Sequence, residues 1–212
     1  MRNLKRVLMT CLFVVVHAIG LALAMKGKVG ILPYDSFVQT ASDFSNIKVG
    51  TMIIIINTFF VLMQIIILKK DFKLIQFLQL VISSILGVVV NLFYYDIFSF
   101  EVNKYIFGLI LFLISIPIQT FAIGGMMAVG LTTYPGEGFS LAVSKKSRFS
   151  FSVVRQALDV FMTLGALLIT FFTNADLYVR EGTIIGAVVF SPLLGFFKDK
   201  LTPFFKSKGL GE

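Results

Sequence analysis

Gly50-Thr-Met-Ile-Ile-Ile-Ile-Asn-Thr-Phe-Phe-Val-Leu-Met-Gln-Ile-Ile-Ile-Leu68 runs for nineteen residues without a charge, and Lys69-Lys70 closes it. A helix rises about 1.5 Å per residue, so this run comes close to crossing an apolar bilayer core of about 30 Å. Its β-branched residues, as in Met52-Ile-Ile-Ile-Ile56, also suit strands. A barrel strand would alternate polar with apolar positions, and this stretch does not. It reads as a transmembrane helix.

Working outward, five further stretches meet or approach the same length. They are Val7 to Met25, Leu74 to Phe93, Ile106 to Gly130, Arg155 to Thr173 and Gly182 to Phe197, the last being short. The whole chain fits this reading: of 212 residues 57% are hydrophobic and only 14% charged, with a mean hydropathy of +0.92. A soluble monomer, a disordered tail and a secreted disulfide scaffold are all disfavoured. The expected fold class is all-α, a polytopic membrane protein of about six transmembrane helices. Its longest polar insert, Leu131 to Val154, is too short for a soluble domain.

The single cysteine, Cys11, forms no internal disulfide, and the lone histidine, His17, builds no multi-histidine metal site. No metal and no cofactor is expected. The net charge of +8 would point a soluble chain towards nucleic acid. In a membrane protein it reflects loop asymmetry, and no nucleic-acid partner is expected. Arg2, Lys5 and Arg6 before an apolar run ending Ala22-Leu-Ala24 imitate a signal peptide. The run exceeds a signal h-region and more spans follow, so a retained first helix is expected.

Orientation follows from Lys and Arg by loop parity. With the amino terminus inside, Arg2, Lys5, Arg6, Lys69, Lys70, Lys73, Lys145, Lys146, Arg148, Arg155, Lys198, Lys200, Lys206 and Lys208 face inward, 14 of the 19. Lys26, Lys28, Lys48, Lys104 and Arg180 face outward. Both termini are therefore expected in the cytoplasm.

One self-similarity stands out, at an offset of 102 residues: Pro33-Tyr-Asp-Ser-Phe37 overlays Pro135-Gly-Glu-Gly-Phe139. The same offset pairs His17 with Gln119 and Asn57 with Asp159. Matched polar residues inside greasy spans are harder to obtain by chance than matched isoleucines. The chain divides into residues 1–101 and 102–212, two three-helix repeats in one membrane domain. Three spans per unit is odd, so the second unit enters from the opposite face and the repeats are inverted.

Gly30-Ile-Leu-Pro-Tyr-Asp35 after the first helix, and Ile47-Lys-Val-Gly-Thr51 opening the second, resemble motifs of the YczE/YyaS/YitT-like group of bacterial integral membrane proteins. The resemblance spans roughly Gly20 to Phe197. Pro135-Gly-Glu-Gly138 departs from the proline, aromatic and Asp pattern in the second half. The resemblance implies a multi-pass protein of the bacterial plasma membrane and supplies no catalytic residues.

Ionisable and amide groups inside spans are the candidate site residues, because a charge at the bilayer centre costs about 2.5–3.5 kcal/mol or more. His17, Asn57, Gln119 and Asp159 are candidates for binding a solute or an ion. Arg155, four residues before Asp159, is its charge partner on the same helical face. Pro33 with Asp35 and Pro135 with Glu137 read as helix starts, each acid complementing the positive end of its helix. Their functional version is a pair of re-entrant gating segments, expected near opposite faces of the bilayer.

No phosphate-cradling loop, nucleophile elbow or catalytic carboxylate pair is present in the sequence, so enzyme activity is not expected. The leading expectation is a small ion-gradient-driven transporter or permease for a small solute. Two alternatives stand beside it: a substrate-binding membrane subunit of an ATP-driven transporter, and a non-transporting scaffold or assembly factor. The bilayer is the one certain partner, with a homodimer or a partner subunit left open.

Overall fold

The computed structural model describes residues 2–211; Met1 and Glu212, the outer ends of the two expected repeats, lie outside it. The helices are α1 (Arg2–Gly27), α2 (Pro33–Ser45), α3 (Val49–Leu68), α4 (Leu78–Asn91), α5 (Tyr105–Val129), α6 (Pro135–Lys146), α7 (Phe151–Phe172) and α8 (Glu181–Ser207). A 3₁₀ turn, Leu74–Phe77, leads into α4, and a π-helical turn, Leu92–Ile97, extends it. No strand occurs among the described residues.

Five segments are long and apolar enough to cross a membrane: Leu4–Gly27, Val49–Asp71, Leu74–Ile97, Tyr105–Val129 and Phe151–Phe172. The sixth expected span, Gly182 to Phe197, does not pass by that measure. It lies within α8, and Lys198, Asp199 and Lys200 follow it directly. The protein is an all-helical, polytopic membrane protein.

Glycines let the helices approach closely, as membrane packing favours. A Cβ on Gly50 would overlap the Gly87 carbonyl oxygen, which fixes the α3–α4 crossing. Asn91 Oδ1 accepts the Gly50 N–H at 2.8 Å beside it. At the α1–α5 crossing, a Cβ on Gly108 would overlap the Gly27 carbonyl oxygen. The other ends of these two helices are tied by the Arg6 guanidinium, which donates to the Val129 carbonyl at 2.9 Å. α1 and α5 are therefore antiparallel, and their Val14, Ala18, Leu21, Phe112, Ile116 and Met126 form the centre of the core.

α8 lies along α5, with Gly124 against Phe197 and Lys198. Its start is pinned where the Gly182 N–H donates to Val29 O at 2.8 Å. Gly30 makes this junction feasible: its φ is +103°, and a side chain there would meet Arg180 and Thr183 at 3.0 Å.

The boundaries recur along the chain. α2 and α6 open at Pro33 and Pro135, α3 and α7 at Val49 and Phe151, and α1 and α5 close at Gly27 and Val129, each pair 102 residues apart. Packing is less even. The α1–α4 contact has a counterpart in α5–α8, but α3–α4 has no comparable α7–α8 contact. α7 is held instead by α2 and α6, and its outer residues Phe161, Leu168, Phe171 and Phe172 are exposed for lipid.

Candidate functional site

The two short helices start in the same way. Pro33 and Pro135 occupy first-turn positions where a missing N–H costs nothing. The residues before them, Leu32 (ψ 154°) and Tyr134 (ψ 153°), are extended because a following proline disfavours the helical region. Each chain segment thereby turns back into the bundle before its helix begins.

Contacts show how deep the turns lie. The Tyr34 hydroxyl donates to Asn57 Oδ1 at 2.8 Å, eight residues into α3, and the Phe37 ring packs on Gly165 in the second half of α7. On the other side the Tyr134 hydroxyl pairs with His17 Nδ1 at 2.8 Å, near the middle of α1. Gln64 Nε2 donates to Pro135 O at 3.2 Å and to Gln79 Oε1 at 2.9 Å, so three elements meet at the start of α6. α2 and α6 then leave towards opposite ends of the bundle. The C-terminal end of α2 meets Asp176, where Asp43 Oδ2 accepts the backbone N–H at 2.8 Å; that of α6 meets Asp71, through Lys146 Nζ at 2.7 Å.

The expectation that Asp35 and Glu137 sit near opposite faces is therefore corrected. Helix-start acids point with the starts, and both starts lie inside. Glu137 Oε1 is 3.6 Å from Arg155 Nη2, and Arg155 Nη1 is 2.6 Å from Asp159 Oδ1. Asp35, 7% exposed, lies within electrostatic reach of all three groups. No donor among the described residues is hydrogen-bonded to its carboxylate. Two acids, Glu137 and Asp159, thus share one guanidinium with Asp35 in electrostatic reach of it, while two helix amino-terminal ends add positive partial charge.

The remaining candidates adjoin this cluster. Tyr134 connects Glu137's helix to His17, and Gln119 lies beside the same imidazole. The Gln119 amide nitrogen reaches Ser115 Oγ at 3.4 Å, and its oxygen has no hydrogen-bond partner among the described residues. His17 and Gln119, matched at the offset of 102, are neighbours across the α1–α5 crossing. Asn57 and Asp159 share no hydrogen bond or ion pair among the described residues, and α3 meets α7 through Phe60, Leu158 and Met162. Tyr134 and Gln64 were not ranked by sequence as site residues. A hydroxyl before Pro135 and an amide inside a span were the available signals.

These features define a multi-pass helical membrane protein whose interior holds a charged, hydrogen-bonded cluster at the turns of two short helices. The chain belongs to a family of unknown function (DUF6198), whose model matches residues 4–199. No curated protein and no solved structure matches it.

Proposed function

We propose that this chain is a small transporter or permease of the bacterial plasma membrane, with both termini cytoplasmic. It moves a small solute past the starts of α2 and α6 and draws on an ion gradient. One observation carries the reading: two short helices that begin inside the bundle face one cluster, Asp35, Glu137, Arg155 and Asp159. Non-helical backbone at membrane depth is tolerated only where protein buries it or it lines a cavity. Broken or half-length helices whose ends face a mid-membrane site are how many secondary transporters hold solute and coupling ion.

The recurrence of helix boundaries at 102 residues supports an inverted repeat, with α2 and α6 as counterparts that lead to opposite ends. The acid excess of the cluster favours a cation or a proton as the coupled species. The resemblance of Gly30-Ile-Leu-Pro-Tyr-Asp35 to the YczE/YyaS/YitT-like group supports the bacterial setting.

The test is uptake into sealed proteoliposomes against a panel of metabolites, with and without an imposed proton gradient. Asp35→Asn and Asp159→Asn are expected to express and elute as wild type while losing gradient-driven uptake. Uptake of no panel member, or uptake at wild-type rate in both variants, overturns the reading.

A further inference from the structure

At the end of the bundle where α2 finishes, a cavity of about 390 Å³ opens between α2, the start of α3, the turn after α4 and the segment before α8. Its size suits a small organic solute. Gln39, Asp43, Lys48, Tyr94, Tyr95 and Tyr178 line it. Asp35, Gln39 and Asp43 are spaced by four along α2, so one helical face leads from the buried cluster to this mouth.

Three features of the lining point to a positively charged occupant. The first is Gln39, only 5% exposed: its nitrogen reaches the Tyr94 hydroxyl at 3.4 Å, and its oxygen has no hydrogen-bond partner among the described residues. A buried acceptor left unfilled costs about 1–3 kcal/mol, which a donor on a ligand would recover. The second is the state of the rings. The Lys26 ammonium sits 4.9 Å from the Tyr94 ring centroid and that of Lys48 5.5 Å from Tyr95, so the chain's own cations already occupy the ring faces. The third is Asp43, exposed to the mouth, where only Oδ2 is engaged, by the Asp176 N–H.

The opposite end carries the counterpart cavity, about 270 Å³, and its chemistry differs. Gln76, Leu141 and Lys145 line it, each 102 residues before or after Tyr178, Gln39 and Asp43. A leucine thus replaces the unfilled amide and a lysine replaces the carboxylate. Tyrosines and lysines also collect at membrane interfaces as plain anchors. An anchor belt accounts for the rings at this end but not for the enclosed Gln39 acceptor or the acid beside them.

We propose that the cavity of Tyr94, Tyr95 and Tyr178 is a binding vestibule for a small organic ammonium, which then passes along the Gln39 face of α2 to Asp35. Lys26 and Lys48 hold the ring faces until the solute's ammonium displaces them. The inference deepens the transport reading and rests on it for the passage to Asp35, while the binding step stands by itself.

The chain has no tryptophan and six tyrosines, three of them in this cavity, so tyrosine emission of the purified protein in detergent reports on it. The probes are choline, tetramethylammonium and ethylammonium, with dimethylbutanol as the uncharged isostere of choline. The expected result is a saturable emission change with an ammonium and none with the isostere. Asp43→Asn should weaken that binding about tenfold, the scale of one charge-assisted contact. Because Asp43 also ties down Asp176, a second pair of variants guards against misfolding. Tyr95→Leu should weaken binding severalfold, whereas Tyr95→Phe, which keeps the ring face, should bind within about twofold of wild type. Lys145→Asn at the counterpart cavity should change nothing.

No saturable response to any ammonium, an equal response to the isostere, or wild-type affinity in both Asp43→Asn and Tyr95→Leu overturns the proposal. Binding in detergent is read without flux. Lost binding with intact uptake removes the vestibule alone, and intact binding with no uptake removes the transport reading alone.

Discussion

Arg155 of α7 reaches Glu137 of α6 at 3.6 Å while holding Asp159, one turn along its own helix, at 2.6 Å. One guanidinium therefore joins two helices as well as neutralising its neighbour. All three side chains are about a quarter to a third exposed, so they are paired in a partly shielded setting rather than in water.

This pairing makes the variants unequal. Asp159→Asn leaves Arg155 with Glu137 and should cost little stability. Arg155→Gln strands Glu137 and Asp159 together and should cost about 1–3 kcal/mol, less than for a fully buried pair. The double variant Arg155→Gln/Asp159→Asn should recover only part of that loss, because Glu137 and Asp35 remain within electrostatic reach of one another without the guanidinium. Thermal transitions in detergent, followed by size-exclusion recovery, measure all three. Equal losses in the two single variants would show that Glu137 contributes nothing.

The α3–α4 crossing tests the packing argument. Gly50→Ala and Gly87→Ala each force a methyl into the facing backbone carbonyl, which cannot move as a flexible side chain could. Each should cost about 1–3 kcal/mol, the usual range for overpacking. Gly195→Ala, in α8 with nothing within 4 Å, should be neutral or gain up to about 1 kcal/mol from helix propensity. Unfolding in a graded denaturing detergent separates the two classes.

Tyr134→Phe removes the hydroxyl 2.8 Å from His17 Nδ1 and leaves a buried imidazole nitrogen unpaired. A loss of about 1–3 kcal/mol is expected. His17→Phe in the same background should then add little, because the two residues act as one pair. Additive losses across this double-mutant cycle would show that each side chain has other partners.

Topology is checked by cysteines placed on a Cys11-free background. The Lys69 to Lys73 and Lys145 to Arg148 segments share one end of the bundle, joined by Lys146 to Asp71. They should be protected from an impermeant thiol reagent in whole cells. Positions in 96–103 and 174–176, at the other end, should label. Strong labelling of the first set would invert the proposed orientation.

Much of this was legible in the chain itself. Length and apolarity fix a spanning helix because the bilayer demands both at once, so the runs ending at Leu68 or Gly130 needed no tertiary information. The helix starts at Pro33 and Pro135 were equally plain, since proline acts on its own backbone. Depth was another matter: a proline says where a helix begins along the chain and nothing about how far into the bundle the preceding turn carries it. Asp35 and Glu137 were for that reason assigned to opposite faces, and only the packing of Tyr34 on Asn57 and of Tyr134 on His17 brought both inside. The Arg155–Asp159 pair followed from a spacing of four, a local property of one helix. Its extension to Glu137, like the gathering of three tyrosines around Gln39, joins residues far apart in sequence. Such contacts depend on which helices pack together, and many packings satisfy the same apolar pattern.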